Sequence, residues 1–473
     1  VEGCIFLFKI KTTDMAINRF TIDASVQQET GNIFDETVCG LIFDTSKRGN
    51  IFSGYSLAQA KYENEQVQRL TSMDDVVASG ITEDGIMSGV PYYHLNHFFT
   101  LAKKNNAEHV IYVCFANCGS NFNVLHRVMH ATKKKIFQFG IWTERDLYDY
   151  TGNDLISPVL TQLNDAIFCF KSSFQKSDEY DQEIPFNVLL CANTVRTELL
   201  NTTVYITDKD GARLKDENGN YLTAKMVPNN QTFNYRTLPP ANNFDIPGLT
   251  VLIGQERSDK VHQMQGRTVN GTPVGCVGAA LGVLSVCPVE YFMGDNSQFS
   301  LKDVIPVAEL GFGEDNTPIE KLGYVRRNEM DRFGYVFPVD REDAPGETFF
   351  SSDRTLGSKD YSTLVRCRTI NKVHRIVRLA LLQHTNSTPK VNPSTGKLSA
   401  AGCTAIMNDM YAYIDTYMGT GSNMNGAAQL DFRKCTVPTE QDIFKDKTLT
   451  AEVEIKPGDH SENIVLQEEV TLS

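Results

Sequence analysis

The 473-residue sequence has no run approaching the ~18 consecutive apolar residues that a membrane span requires, so nothing in it reads as a transmembrane helix. It has no G-x-S-x-G nucleophile elbow, no P-loop and no G-x-G-x-x-G fingerprint, which removes the motif-level case for acyl transfer or nucleotide chemistry. Basic residues are outnumbered, 45 Lys and Arg against 58 Asp and Glu, for a formal charge of -13. That balance argues against a surface built to grip nucleic acid or anionic lipid by counterion release. Fixed-period repeats and low-complexity tracts are also missing.

What is present is an ordinary globular composition, 41% hydrophobic over a length that supports two or three domains without metal or disulfide staples. The 11 cysteines are an odd number, and Cys39, Cys114 and Cys191 lie in apolar strand-like runs where a thiol behaves as a small hydrophobe. This usage points to a reducing compartment. The sequons at Asn201, Asn230, Asn270 and Asn386 read as chance matches in that setting. The apolar burst Cys4 to Phe8 is too short for a signal h-region. Because an alternating segment begins soon after Met15, Val1 to Asp14 are expected to be translated leader or the product of an alternative start, with the functional chain beginning near Met15.

In that segment Phe20, Ile22, Ala24 and Val26 share one side and Thr21, Asp23 and Ser25 the other, the period of a half-buried strand. Apolar runs follow at Val38 to Asp44, Val110 to Phe115, Ile136 to Trp142, Phe186 to Ala192 and Leu249 to Gly254, bounded by polar residues as strands buried on both faces are. Helical stretches lie between them, at Tyr92 to Lys104, Phe122 to Thr132 and Ile156 to Phe170. The order predicts an α/β fold with a mostly parallel sheet. Residues 196 to 246 break the rhythm with hairpin signals and read as a β-rich insertion. Asp360 to Leu382 and Ala401 to Met418 are helical. The end alternates again, Leu449, Ala451, Val453 and Ile455 on one face and, after Pro457-Gly458, Ile464, Leu466, Val470 and Leu472.

Few constellations could carry chemistry. Cys114, Cys118, His126 and His130 form a C-x3-C-x7-H-x3-H array that could close a tetrahedral zinc site, but the spacing between the pairs is shorter than in the usual finger, and a core thiol beside two helix histidines is the better account. His94 and His97 make a similar pair. Gly275, Gly278 and Gly282 suggest close helix packing on small faces rather than a phosphate cradle. Acid pairs such as Asp74-Asp75 are ordinary on an acidic surface. Arg366, Arg368, Lys372, Arg375 and Arg378 fall in an acid-free stretch, with Arg368, Lys372 and Arg375 on one helical face. That stripe is either a solvated face or a contact for an acidic partner.

Taken in order, several segments resemble the contractile tail sheath family of phages and prophages. They are Val90 to Lys104 with Phe98-Phe99, Gln138-Phe139-Gly140-Ile141-Trp142, Val251 to Glu256 with Gly275 to Gly282 after it, and Phe333-Gly334-Tyr335-Val336-Phe337. Asp360-Tyr361 then leads into Arg368 to Lys372 and Arg375 to Arg378, followed by Pro393 to Leu398 and the closing alternating strands. The likeness runs over most of the chain from Val38 onward, leaving 196 to 246 and the residues before Met15 unaligned.

The resemblance implies a non-enzymatic subunit, with no cofactor, that polymerises as stacked hexameric rings around a tail tube and contracts. It implies three parts: residues 1–30 with leader and N-terminal strand arm, an outer α/β body over 31–355, and an α+β inner domain over 356–473 whose strand arm is 449–472. Phe20, Ile22, Ala24, Val26, Leu449, Val453, Ile455, Ile464, Leu466 and Val470 would be the inter-subunit strand positions. Arg368, Lys372, Arg375 and Arg378 would face an acidic tube. Partners would be further copies of the chain, the tube, the baseplate and the tail terminator, with no direct nucleic acid and no membrane insertion. The particle would be a virion tail or an injection system, assembled in the bacterial cytoplasm. The competing readings are an α/β nucleotide-binding enzyme and a zinc-stabilised binding module.

Overall fold

Short apolar runs between amphipathic stretches have one economical solution, a sheet buried on both faces by helices. The computed structural model describes residues 4–11, 36–47, 61–62, 65–83, 89–103, 109–133, 135–151, 154–167, 185–194, 202–205, 223–226, 238–295, 297–313, 317–342, 344–384, 390–419, 429–439, 441–442 and 448–457.

Strand β1 (Cys4–Lys11) comes first, then β2 (Val38–Asp44), β3 (Lys61–Tyr62) and β4 (Glu65–Leu70). Helices α1 (Met73–Ala78) and α2 (Gly89–Ala102) lead to β5 (Val110–Ala116), α3 (Val124–Ala131) and β6 (Gln138–Asp146). The short pair β7 (Asp149–Thr151) and β8 (Asp154–Ile156) precedes α4 (Pro158–Ala166) and β9 (Asn187–Asn193). Strands β10 (Thr202–Tyr205) and β11 (Thr223–Met226) pair antiparallel within the 196–246 region. After them come β12 (Leu249–Leu252), β13 (Gln255–Glu256), α5 (Asp259–Gly266) and α6 (Val277–Val286). Then follow β14 (Leu310–Phe312), β15 (Thr317–Pro318), α7 (Tyr324–Arg332), β16 (Tyr335–Val336), β17 (Pro338–Asp340) and β18 (Thr348–Phe350). The chain closes with α8 (Leu364–Leu382), α9 (Ala400–Met418), β19 (Leu430–Thr436) and β20 (Thr448–Pro457).

Eight strands form the main sheet in the order β16-β12-β9-β6-β2-β5-β4-β3. From β16 to β5 every neighbouring pair is parallel, and β4 is antiparallel to β5. The fold is therefore α/β with a mostly parallel sheet. Strands β2 and β9 are buried at every position, which is why they read as continuous apolar runs rather than alternating ones.

Helices α2 and α6 approach closely because two glycines of α6 face the backbone of α2. A Cβ on Gly278 would lie 2.1 Å from the His94 carbonyl oxygen, and one on Gly282 would lie 2.9 Å from that of Phe98. The glycine run is thus a packing device.

A second apolar core stands beside the first. One cluster gathers residues from Val38 to Leu364, while the other joins α8, α9, β19 and β20 and takes in Phe137 and Val289. Thr363 Oγ1 accepts the Arg366 N–H to start α8, and Ser399 Oγ accepts the Gly402 N–H to start α9. Against these helices lies a three-stranded antiparallel sheet in the order β1-β20-β19.

Within the residues expected to be leader, Cys4–Lys11 is a strand, paired with β20 from Cys4 opposite Ile455 to Lys11 opposite Thr448. The apolar burst Cys4 to Phe8 has the length of a strand, and the second core supplies the partner edge.

Candidate assembly interface

The pattern Leu449, Ala451, Val453, Ile455 puts one face of β20 into the second core, where these residues are at most 7% exposed. Thr450, Glu452 and Glu454 alternate with them and are half-buried. β20 is the middle strand, with β1 on one side and β19 on the other. Leu449, Val453 and Ile455 therefore serve this chain's own core, and among the described residues the outer edges of β1 and β19 have no further strand beside them. Phe20, Ile22, Ala24, Val26, Ile464, Leu466 and Val470 lie outside the described residues.

The basic stripe is a correction. Arg368, Lys372 and Arg375 share the face of α8 that the spacing predicts, but that face points inward and the three side chains are buried. Arg368 donates through Nη2 to the carbonyls of Leu284 at 3.1 Å and Cys287 at 2.7 Å, and through Nη1 to that of Pro288 at 3.2 Å. These oxygens close the C-terminal end of α6, where a cation also meets the favourable end of the helix dipole. Arg375 Nη2 donates to the carbonyls of Ile136 at 2.6 Å and Pro185 at 3.0 Å, the approaches to β6 and β9. Lys372 Nζ is ion-paired with Glu36, at the approach to β2, and donates to Gln429 Oε1 at 2.8 Å, just before β19.

Burial lowers Arg375 to about 9 and Arg378, which is half-buried, to about 10, so both stay cationic at neutral pH. One helix face thus ties the second core to the entry ends of the main sheet. Sequence reasoning missed Glu36 and Gln429 as members of this seam. No local signal marks them, because each meets α8 across a long stretch of chain.

The zinc candidate does not assemble. Cys114 is buried in β5, and the Cys118 Sγ donates to the Ala116 carbonyl at 3.7 Å, with burial pushing its thiol up. His126 Nε2 is 2.6 Å from the Ala166 carbonyl, while His130 is exposed. Among the described residues no group of three or more His, Cys, Asp or Glu side chains could hold a metal ion. His94 and His97 are buried, and burial lowers both to about 3. The Gly278 N–H donates to His94 Nδ1 at 3.3 Å, a contact that needs a neutral imidazole. His97 Nε2 stands 3.7 Å from Glu256, whose carboxyl is raised to about 7 by burial. With His97 neutral, that contact is no ion pair.

In sheets of this class ligands bind beyond the strand C-termini, where strand order reverses. Here that point lies at the ends of β2, β5 and β6. Asp44 fills it, Oδ1 accepting the N–H groups of Ser46 at 2.9 Å and Cys118 at 3.0 Å. Its Oδ2 accepts the hydroxyls of Ser46 at 2.9 Å and Thr143 at 2.7 Å. Arg145 donates to the Cys118 carbonyl at 2.8 Å and lies 5.5 Å from the centre of the Phe122 ring. Asp44, Thr143 and Arg145 are thus spent on holding the loops beside these strand ends.

No protein-family model matches this sequence, and no curated protein matches it. Solved structures do. The chain is similar to chains of contractile injection systems. One belongs to the six-fold symmetrised cryo-EM structure of the anti-feeding prophage (AFP) baseplate, at 10% identity and a TM-score of 0.47, covering 93% of this chain and 94% of that one. A second is from the PVC sheath complex of an extracellular contractile injection system in the contracted state, at 12% identity and a TM-score of 0.46, covering 92% and 91%. A third is from the AFP helical sheath in the contracted state, at 11% identity and a TM-score of 0.43, covering 91% and 92%.

Proposed function

We propose that this chain is a structural subunit of a contractile sheath, polymerising around a tube and shortening to drive that tube through a target envelope. The observation that carries the reading is the β1-β20-β19 sheet, in which the two ends of the described chain meet on a core of their own. A strand from a chain end, joined to its body by residues 12–35, can be given to a neighbour without unfolding that body. Fully extended, ~3.3 Å per residue lets those residues span roughly 80 Å, further than the width of a domain this size. A neighbour's β1 then completes the sheet of each copy through the same backbone bonds.

The ordered sequence likeness to tail sheaths supports the same reading. Stacked rings, contact with a tube and baseplate, and a particle of the virion-tail or injection-system type belong to the proposal. Contraction is a change between two packings of folded subunits while exchanged strands keep the mesh connected. The role for residues 12–35 and β1 takes the place of the leader.

Negative-stain microscopy of the purified chain tests this. Sleeves or rings are expected from the full chain, and folded, unpolymerised subunits from a variant lacking residues 1–11. Polymers of unchanged form from that variant would remove strand donation by β1.

A further inference from the structure

Two of the buried thiols stand side by side where the sheet meets α6. Strands β9 and β12 run parallel with Leu190 opposite Val251, so Cys191 lies one residue past that pair on β9 and Ile253 two residues past it on the neighbouring strand. Cys276, the residue before α6, donates its thiol to the Ile253 carbonyl at 3.7 Å. From the other side, a Cβ on Gly275 would lie 2.7 Å from Cys191 Sγ, so the Cys191 sulfur rests against the backbone immediately before Cys276. The side chains of Cys191 and Cys276 are hydrogen-bonded to one another. Gly275 lets them meet, since it stands at φ 78° and any side chain there would displace the Cys191 thiol.

A cysteine buried alone among apolar neighbours is an inert small hydrophobe. These two differ from that in two respects. Each has a second thiol in contact, and Cys191 lines a small, partly open cavity together with Thr194, Pro273, Gly275 and Phe312. The space suits a molecule close to water in size. Cys191 is 3% exposed and Cys276 not at all, so the first is the sulfur that such a molecule reaches.

We infer that Cys191 and Cys276 are a redox pair, closed to a disulfide by hydrogen peroxide, which clamps the end of β9 to the start of α6. Peroxide meets Cys191 in the cavity. Its O–O bond breaks as Cys191 Sγ takes one oxygen to become a sulfenic acid, and the other oxygen leaves as water with the thiol proton. Cys276 Sγ then attacks that sulfur, the S–O bond breaks, and the hydroxyl leaves as water with the Cys276 proton. The two thiols together give up two electrons, and one peroxide becomes two waters.

The bond to Cys191 and burial hold the Cys276 thiol well above its ordinary range. It therefore brings its proton to the second step and releases it only as the hydroxyl departs, which makes it the resolving partner. In a reducing compartment the pair stays open, and an oxidising medium closes it. Neither step needs a second copy of the chain.

The full chain, freed of reductant, is treated with hydrogen peroxide, quenched with catalase, blocked with N-ethylmaleimide in denaturant and digested for peptide mass analysis. The expected product is a peptide pair joined through Cys191 and Cys276, formed ahead of oxidation elsewhere among the 11 cysteines and undone by dithiothreitol. Cys276→Ser should leave Cys191 as a sulfenic acid that dimedone captures, and Cys191→Ser should leave Cys276 free for the blocking reagent. The linked chain should need more denaturant to unfold, because the bond closes a long loop of the unfolded chain. Both cysteines recovered blocked from folded chain, at a peroxide dose that oxidises them once the chain is denatured, would overturn the inference. So would a Cys191–Cys276 link no more frequent than in chain oxidised while unfolded. Should either serine variant fail to fold, the peptide link in the unmutated chain decides alone.

Discussion

Arg375 sets its guanidinium 4.9 Å from the centre of the Phe137 ring while its Nη2 donates to the Ile136 carbonyl at 2.6 Å, so one side chain holds two successive residues at the approach to β6. Phe137 itself belongs to the second core. The contact therefore joins the two cores rather than decorating either. Combined with Arg368 on α6 and Lys372 on Glu36, it makes α8 the element that ties the two cores together.

Arg375→Met keeps the length of the side chain and removes its donors. The carbonyls of Ile136 and Pro185 then lose a charged partner in a buried setting, at a cost of about 3 kcal/mol. Chemical unfolding measures it. A surface arginine on α8 would give about 0.5 kcal/mol or less, the value expected had the stripe faced outward.

Gly278→Ala places a methyl group against the His94 carbonyl and forces α2 and α6 apart. A loss of about 2 to 3 kcal/mol is expected, the scale of overpacking. Gly266→Ala, where a Cβ meets nothing within 4 Å, is the matched control and should be neutral or stabilising by up to about 1 kcal/mol. Thermal unfolding of the two variants separates packing from helix propensity.

Burial holds His94 and His97 neutral down to about pH 3, whereas in the unfolded chain they take up protons near 6.5. The unfolded state then binds more protons between those values, so stability falls as pH drops from about 6.5 toward 3. Glu256, raised to about 7 by burial and by Glu309, has the opposite sign, its stabilising contribution fading as pH rises from about 4.5 through 7. His97→Gln should flatten the acid limb of a stability–pH curve and leave the limb near neutrality in place. An unchanged acid limb would contradict the burial account.

Much of this fold was legible because its elements are locally consistent. The runs around Val110, Asn187 and Leu249 are strands within a residue or two, that around Gln138 is a strand running four residues further than expected, and the alternation Leu449 to Ile455 gave the buried face of β20 correctly. Gly278 and Gly282 were readable as a close helix contact because small residues one turn apart leave little else to do. The stripe on α8 was not readable. Arginine and lysine on one helix face ordinarily mean a solvated face, and nothing near them announces that carbonyls of Leu284, Cys287, Ile136 and Pro185 converge there. The strand at Cys4–Lys11 was missed for a related reason, since its partner β20 lies at the far end of the chain.

The central claim is that the strand at one end of the chain pairs with a different copy when the protein assembles. Cys4 stands opposite Ile455 in the β1–β20 register, so Ile455→Cys puts two cysteines at directly opposite positions of that pair. Mild oxidation of assembled I455C, followed by denaturing electrophoresis without reductant, is predicted to give a ladder of covalently linked copies that Cys4→Ser abolishes. Monomers cross-linked only within themselves, from a preparation that microscopy shows to be polymerised, would contradict the account.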